Sequence, residues 1–203
     1  LFYQGIITID RNEFDGNVFK MPNYVIKQLY FQYFHQIMLE RSQLDGLGID
    51  VRLKVVELAK NGSIAPLVEY TEKVLQELAV RDAVRFDEKH LKTIFTAAVF
   101  NSGVYTIRNE FEVKVPIKAG HTGKGFVDLL LLARQPYQPN FQAVIEFKYV
   151  KKKDANQAES VKQAAIEQLE NYLQQDDFLS KLDKLKAFVV VFVGYKGEIV
   201  EVC

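Results

Sequence analysis

The sequence predicts an α/β protein in which a hairpin and a helical subdomain precede a unit of the order helix, three strands, helix, strand. Apolar residues recur at helical spacing through the first half of the chain, and this spacing gives way to strand-like patterns after residue 104. Glycine, proline and aspartate separate the segments. Of the 203 residues, 48% are hydrophobic and 26% are charged, which is typical of a folded globular protein.

The first half is predicted to form a hairpin and three helices. Residues 1–20 alternate around Asp15-Gly16, a strong signal for a hairpin turn. Pro22 begins a segment at helical spacing that runs to about residue 41, and two more helices are expected over 50–60 and over 63 to about 80. We therefore expect a helical subdomain that ends near residue 85.

The second half is predicted to combine strands with two helices. Asp87 is a suitable N-cap for a helix that Gly103 ends. Three strands are expected over 105–115, 126–133 and 143–149, then a helix over 156–175 and strands over 187–193 and 198–202.

Three charged residues of these strands stand out. Asp128 lies within an apolar run, where an unpaired carboxylate would be expensive to bury. Glu146 and Lys148 lie two positions apart, so a strand places both on one face. If the two strands are neighbours, two carboxylates and an ammonium converge, and such oxygen ligands suit Mg²⁺ or Mn²⁺. With a partly desolvated lysine, this combination fits phosphodiester hydrolysis.

The spacing of Asp128 and Glu146-Phe147-Lys148, together with the order of elements, resembles the PD-(D/E)xK nuclease superfamily. The resemblance implies a restriction-endonuclease-like αβββαβ core with a mixed sheet over residues 86–203, and metal-dependent cleavage of DNA. It implies that Asp128, Glu146 and the main-chain carbonyl of Phe147 bind the metal and that Lys148 is the catalytic lysine.

Further residues follow from the same resemblance. Val127 stands where the family usually has proline. The additional acidic ligand found upstream in many members is expected to be Glu110, with Glu112 as its rival. Gln168 and Tyr172 reproduce the Gln-x-x-x-Tyr helix motif of the RecB-like branch, and positions four apart share a helix face. Both are therefore catalytic candidates.

The N-terminal residues extend the resemblance. Residues 1–5 and Met21-Pro22-Asn23 look like the junction that follows the ATPase module in bacterial AAA-ATPase-like proteins. This implies that residues 1–85 are the helical or winged-helix-like tail of an ATPase module in the same longer chain. The alternative functions are a catalytically inactive nuclease-like module that binds nucleic acid or docks to an ATPase, and an interaction domain whose helical half recruits a protein.

Two segments are candidates for phosphate binding. The segment from Gly120 to Gly125 lacks the spacing of a phosphate loop and is expected to be a flexible hairpin loop. The three lysines of 151–153 either contact phosphates or form a solvated loop.

The net charge of the chain is zero, but positive charge is concentrated over residues 100–162. One cysteine and the absence of a long apolar run favour a cytoplasmic protein without a membrane segment.

Overall fold

The computed structural model describes residues 8–13, 16–20, 48–82, 87–118 and 121–202, together with six single residues between 23 and 33. The predicted hairpin is confirmed: β1 (Thr8–Glu13) pairs antiparallel with β2 (Gly16–Lys20). The helix predicted over 22–41 lies largely outside the described residues.

Three helices precede the main sheet, close to their predicted positions. They are α1 (Gly48–Asn61), α2 (Ala65–Asp82) and α3 (Glu88–Ser102). Asp87 is the N-cap of α3, and its side chain accepts a hydrogen bond from the His90 N–H at 3.1 Å. Gly103 follows the helix with φ 68°, a left-handed conformation that glycine adopts without strain.

The main sheet has five strands in the order β3, β4, β5, β6, β7. These strands are β3 (Tyr105–Lys118), β4 (His121–Ala133), β5 (Gln142–Val150), β6 (Leu185–Val193) and β7 (Lys196–Val202). β5 and β6 are parallel and the other neighbours are antiparallel, so the sheet is mixed, as predicted. The connection from β5 to β6 contains α4 (Ala158–Gln175), flanked by the 3₁₀ segments Lys152–Gln157 and Leu179–Lys181.

The hairpin of β3 and β4 is longer than the sequence pattern predicted. The prediction of a flexible loop over 120–125 is wrong for residues 121–125, which belong to β4. In this strand Lys124 lies opposite Lys114, and Gly125 lies opposite Val113. Packing explains the difference: a Cβ on Gly125 would lie 2.6 Å from the ring of Tyr172 in α4. Gly125 is therefore needed for close contact between strand and helix.

The sheet separates two hydrophobic clusters. The larger cluster joins α1, α2 and α3 to one face, with Leu58, Leu67, Phe95, Leu131, Phe147 and Phe188 among its members. The smaller one joins α4 to the other face through residues such as Val113, Leu130, Val144, Leu169 and Val189. Along β5, odd-numbered residues therefore face α1 to α3, and even-numbered residues face α4.

The helices before residue 85 share their core with the sheet. Leu58 and Leu67 are fully buried in the same cluster as Phe95 and Phe147. The boundary near residue 85 stays a prediction. None of the helices in the described parts of the chain is both long and apolar enough to cross a membrane.

Candidate functional site

The candidate site lies where β4 and β5 separate. Their pairing runs from Leu131 opposite Ala143 to Leu129 opposite Ile145 and ends there. At the next position, Asp128 Oδ2 accepts a hydrogen bond of 2.7 Å from the Phe147 main-chain N–H. The Asp128 side chain thus takes the place of a main-chain hydrogen bond between the two strands. This contact fixes the carboxylate at the point where β4 and β5 diverge.

Glu146 and Lys148 form a second, adjoining pair on β5. Lys148 Nζ donates to Glu146 Oε1 at 2.7 Å. The Glu146 side chain is only 3% exposed, whereas that of Lys148 is 24% exposed. Glu146 Oε2 is buried and has no hydrogen-bond partner in the described structure. This oxygen is an uncompensated acceptor of the kind that native proteins rarely leave without a purpose.

A lysine that the sequence analysis did not single out completes the charge cluster. Lys92, on α3, forms an ion pair with Asp128 Oδ1 and a second one with Glu88 Oε1 at 2.9 Å. Glu110 Oε1 lies 3.8 Å from Lys92 Nζ. Asp128 is therefore approached from the side of α3, while Glu146 and Lys148 lie on the face toward α4.

The predicted acidic ligand Glu110 is close to the site but not joined to it. Glu110 lies on β3 between the pairs Asn109–Leu129 and Phe111–Val127, level with Asp128, and its φ of 52° is unusual for a residue other than glycine. Its side chain is 68% exposed and reaches Lys92. The rival Glu112 pairs with Lys124 at 3.0 Å instead.

Burial dominates the electrostatics of both central carboxylates. It raises the pKa of Asp128 above its usual value, although Lys92 and the Phe147 N–H act in the opposite direction. Burial also raises the pKa of Glu146, and the nearby charge of Asp128 adds to the effect. The negative charge of the pair is thus incompletely balanced by the protein.

The two lysines respond to the same charges. Burial lowers the pKa of Lys148, but Glu146, Glu88 and Asp128 together raise it above its ordinary value. Burial likewise lowers the pKa of Lys92, and its contacts with Asp128 and Glu88 more than offset this. Both side chains are therefore ammonium ions at neutral pH.

Gln168 and Tyr172 contact each other on α4. Gln168 Nε2 donates to the Tyr172 hydroxyl at 2.9 Å, and the Tyr172 ring lies against Gly125. Both residues lie on the same side of the sheet as Glu146 and Lys148. A catalytic role for the pair stays a prediction. The lysines of 151–153 are exposed just beyond β5.

A cleft of about 360 Å³ adjoins Asp128 on the side of α3. Its lining includes Thr96, Asn109, Glu110 and the aromatic ring of Tyr30. Asp128 lies in the wall of this cleft with 9% of its side chain exposed.

Comparison with protein families agrees with this geometry. Residues 86–202, more than half of the chain, match the model of a family described as "PD-(D/E)XK nuclease superfamily". The chain belongs to the PD-(D/E)XK nuclease superfamily. A comparison with curated proteins finds no significant match. Membership in this superfamily implies a nuclease-type domain that interacts with nucleic acid, and the mixed five-stranded sheet is consistent with the restriction-endonuclease-like fold.

PD-(D/E)XK nucleases generally use divalent metal ions, and the residues present fit such an ion. The buried Glu146 Oε2 without a partner is the observation that fits best, because a hard cation favours carboxylate oxygen. Asp128 and the main-chain carbonyl of Phe147 are next to it along the diverging strands. Within the described ranges, no three side chains of His, Cys, Asp or Glu converge as a ready-made metal cluster.

Two functional candidates, Glu88 and Lys92, were missed by sequence reasoning. Their spacing of four is typical of a solvated ion pair along a helix, so the pattern alone gives no reason to choose them. The N-cap at Asp87 does fix where the helix begins, and thus places both residues in its first turns. Only the packing of α3 against the sheet reveals that Lys92 contacts Asp128, with Glu88 as its second partner.

Proposed function

We propose that this chain is a Mg²⁺- or Mn²⁺-dependent nuclease that hydrolyses phosphodiester bonds of DNA at Asp128, Glu146 and Lys148. The observation that supports this most directly is the buried Glu146 oxygen without a partner, next to a carboxylate fixed by a main-chain N–H. A purely structural pair would be expected to satisfy all its oxygens.

Different groups of the site bind the metal and orient the attacking water. Asp128, Glu146 and the Phe147 carbonyl hold the metal, with Glu110 as a further acidic ligand. When bound, a divalent ion supplies positive charge to the phosphate and makes water more acidic. Lys148, held against Glu146, orients the attacking water.

Other residues of the site contact the DNA. Gln168 and Tyr172, joined by their hydrogen bond, hold the substrate from α4, as in the RecB-like branch. The exposed lysines of 151–153 contact backbone phosphates.

The test is cleavage of single-stranded, duplex and branched DNA with Mg²⁺, with Mn²⁺ and with a chelator. We expect metal-dependent cleavage that falls at least about 100-fold in Asp128→Asn and in Lys148→Ala. Glu112→Gln is the matched control, because this carboxylate lies on the neighbouring strand but pairs with Lys124. Metal-dependent cleavage that Asp128→Asn and Lys148→Ala both leave intact would rule out this site.

A second candidate function is a catalytically inactive module that binds nucleic acid or docks to an ATPase. The observation that favours it is the ion pair of Lys92 with Asp128, which neutralises one carboxylate without any metal. Salt-dependent DNA binding without cleavage would support this function. If the protein does not bind DNA or RNA even at low salt, only docking to a protein partner remains as the alternative.

The wider context is also part of the proposal. Residues 1–85 are proposed to be the tail of an ATPase module in a longer bacterial, cytoplasmic protein of the AAA-ATPase-like type, a tail whose helices α1 and α2 share a core with the sheet. The hairpin of β1 and β2 followed by helices is compatible with a winged-helix-like tail. ATP-stimulated cleavage by a full-length protein, absent when the ATPase is inactivated, would support this arrangement.

A further inference from the structure

Lys92 is surrounded by three carboxylates. Its Nζ atom forms ion pairs with Asp128 and with Glu88, and Glu110 lies 3.8 Å away on the remaining side. The Lys92 side chain is only 22% exposed. An ammonium held between acids from a helix and two strands differs from the usual solvated lysine of a helix surface.

The two central carboxylates differ in how far the protein satisfies them. Both oxygens of Asp128 are occupied, Oδ1 by Lys92 and Oδ2 by the Phe147 N–H. Glu146 instead has one oxygen with no partner within the described structure. A cation that binds Glu146 Oε2 therefore breaks no hydrogen bond or ion pair of that oxygen, whereas at Asp128 Oδ1 it meets the Lys92 ammonium.

We infer that Lys92 is an internal counter-ion that occupies Asp128 in the metal-free protein and must withdraw when a divalent cation binds. This inference rests on the proposed function. The ammonium and a divalent cation repel each other, and at a distance of a few ångströms in a partly buried site this repulsion is strong. Lys92 is thus a positioning residue that weakens metal binding and keeps the empty site folded.

The surroundings of Lys92 give it a place to go. Glu88 lies one helical turn earlier and already contacts Nζ at 2.9 Å, so it remains an ionic partner when Asp128 holds the metal. The long, flexible lysine stem can therefore leave Asp128 without losing all its ionic partners. The withdrawal requires a change in side-chain torsions and no movement of the strands.

The experiment measures Mn²⁺ binding to the metal-free full chain by electron paramagnetic resonance, with calorimetry as a second readout. Lys92→Met removes the charge and keeps most of the volume, so we expect Mn²⁺ to bind about tenfold more tightly, or better. Lys92→Arg, which keeps the charge, should bind as weakly as the wild type. Lys73→Met, at an exposed lysine of α2 that does not line the cleft beside Asp128, is the control for a general loss of positive charge.

The outcomes separate the inference from the proposed function. Unchanged or weaker Mn²⁺ binding in Lys92→Met, with wild-type binding that Asp128→Asn abolishes, would overturn the inference and leave the nuclease proposal standing. Failure of both the wild type and Lys92→Met to bind Mn²⁺ would overturn the nuclease proposal and the inference with it. Tighter binding by Lys92→Met that Asp128→Asn removes again would support the inference.

A second measurement does not depend on the folding of Lys92→Met. In the wild type, the ¹³Cε signal of Lys92 is followed during a Mg²⁺ titration and assigned by comparison with Lys92→Arg. We expect this signal to move at the Mg²⁺ concentrations that fill the site, while that of Lys73 on α2 does not. A stationary Lys92 signal with a filled site would overturn the inference.

Discussion

At the scale of single residues, Asp128 and Glu146 differ in how completely the protein provides partners for their carboxylate oxygens. Asp128 has an ionic partner and a main-chain donor, whereas Glu146 has Lys148 on one oxygen and nothing described on the other. A buried charge without full compensation lowers stability and is retained where function requires it. The two carboxylates should therefore respond differently to neutralisation.

We expect Glu146→Gln to leave the free energy of unfolding of the metal-free protein unchanged or higher, because it removes a buried charge that Lys148 compensates at only one of its two oxygens. Lys148 loses its partner but remains partly exposed to water. Asp128→Asn should instead lower this free energy by about 2 kcal/mol, since it breaks buried charge-assisted contacts. Chemical denaturation in the presence of a chelator measures both. A larger loss for Glu146→Gln than for Asp128→Asn would contradict this prediction.

The sequence identified the part of the site that depends on local pattern. Asp128 stood out because its neighbours are apolar, and Glu146 and Lys148 because a period of two places them on one face. Lys92 could not be found in this way, since its role depends on the packing of a helix against a distant strand. The exposed position of Glu110 depends in turn on the unusual backbone of that residue.

At the scale of elements, the N-cap of α3 positions the residues that face Asp128. Asp87 begins the helix whose first turns contain Glu88 and Lys92. Its hydrogen bonds with the His90 main chain and side chain hold the pKa of Asp87 below its ordinary value. Fraying at this end of the helix would move Lys92 away from Asp128.

We expect Asp87→Ala to lower the free energy of unfolding by about 1 kcal/mol, the usual value of an N-cap side chain. Asp87→Asn, which can still cap, should lose less. Because the folded pKa is depressed, the carboxylate's contribution is present above the unfolded pKa and is lost as pH falls through the folded value. Urea unfolding from pH 7 to pH 3 should show the wild type approaching Asp87→Ala. A constant difference between the two proteins would contradict the prediction.

The contact between β4 and α4 offers a second prediction for elements. Gly125→Ala would place a methyl group 2.6 Å from the Tyr172 ring, so we expect a loss of about 1–3 kcal/mol in the free energy of unfolding. In a Tyr172→Ala background, the same substitution should have little effect, because the clash is gone. A double-mutant cycle in thermal or chemical unfolding measures this coupling. Independent effects of the two substitutions would show that the helix moves aside.

At the scale of the whole molecule, the sequence predicted the order of the elements but not their layering. Alternation and helical spacing are local signals, and they located α1 to α4 and the strands to within a few residues. That α1 and α2 pack on the same sheet face as α3 depends on contacts between residues far apart in the chain. Glu72 illustrates this: its carboxylate accepts from Lys196 Nζ at 3.0 Å and from the Gly197 N–H at 2.8 Å.

We expect α1 and α2 to unfold together with the sheet, because they bury their apolar faces in one cluster with it. Glu72→Ala should then lower the free energy of exchange of the most protected amides in α2 and in β6 by the same amount, about 1–2 kcal/mol. Glu69→Ala is the matched control, since Glu69 is exposed one turn earlier on the same helix. Native-state hydrogen exchange measures each segment separately. Exchange in α1 and α2 at a lower free energy than in the sheet would instead mean that a real domain boundary near residue 85 divides the chain.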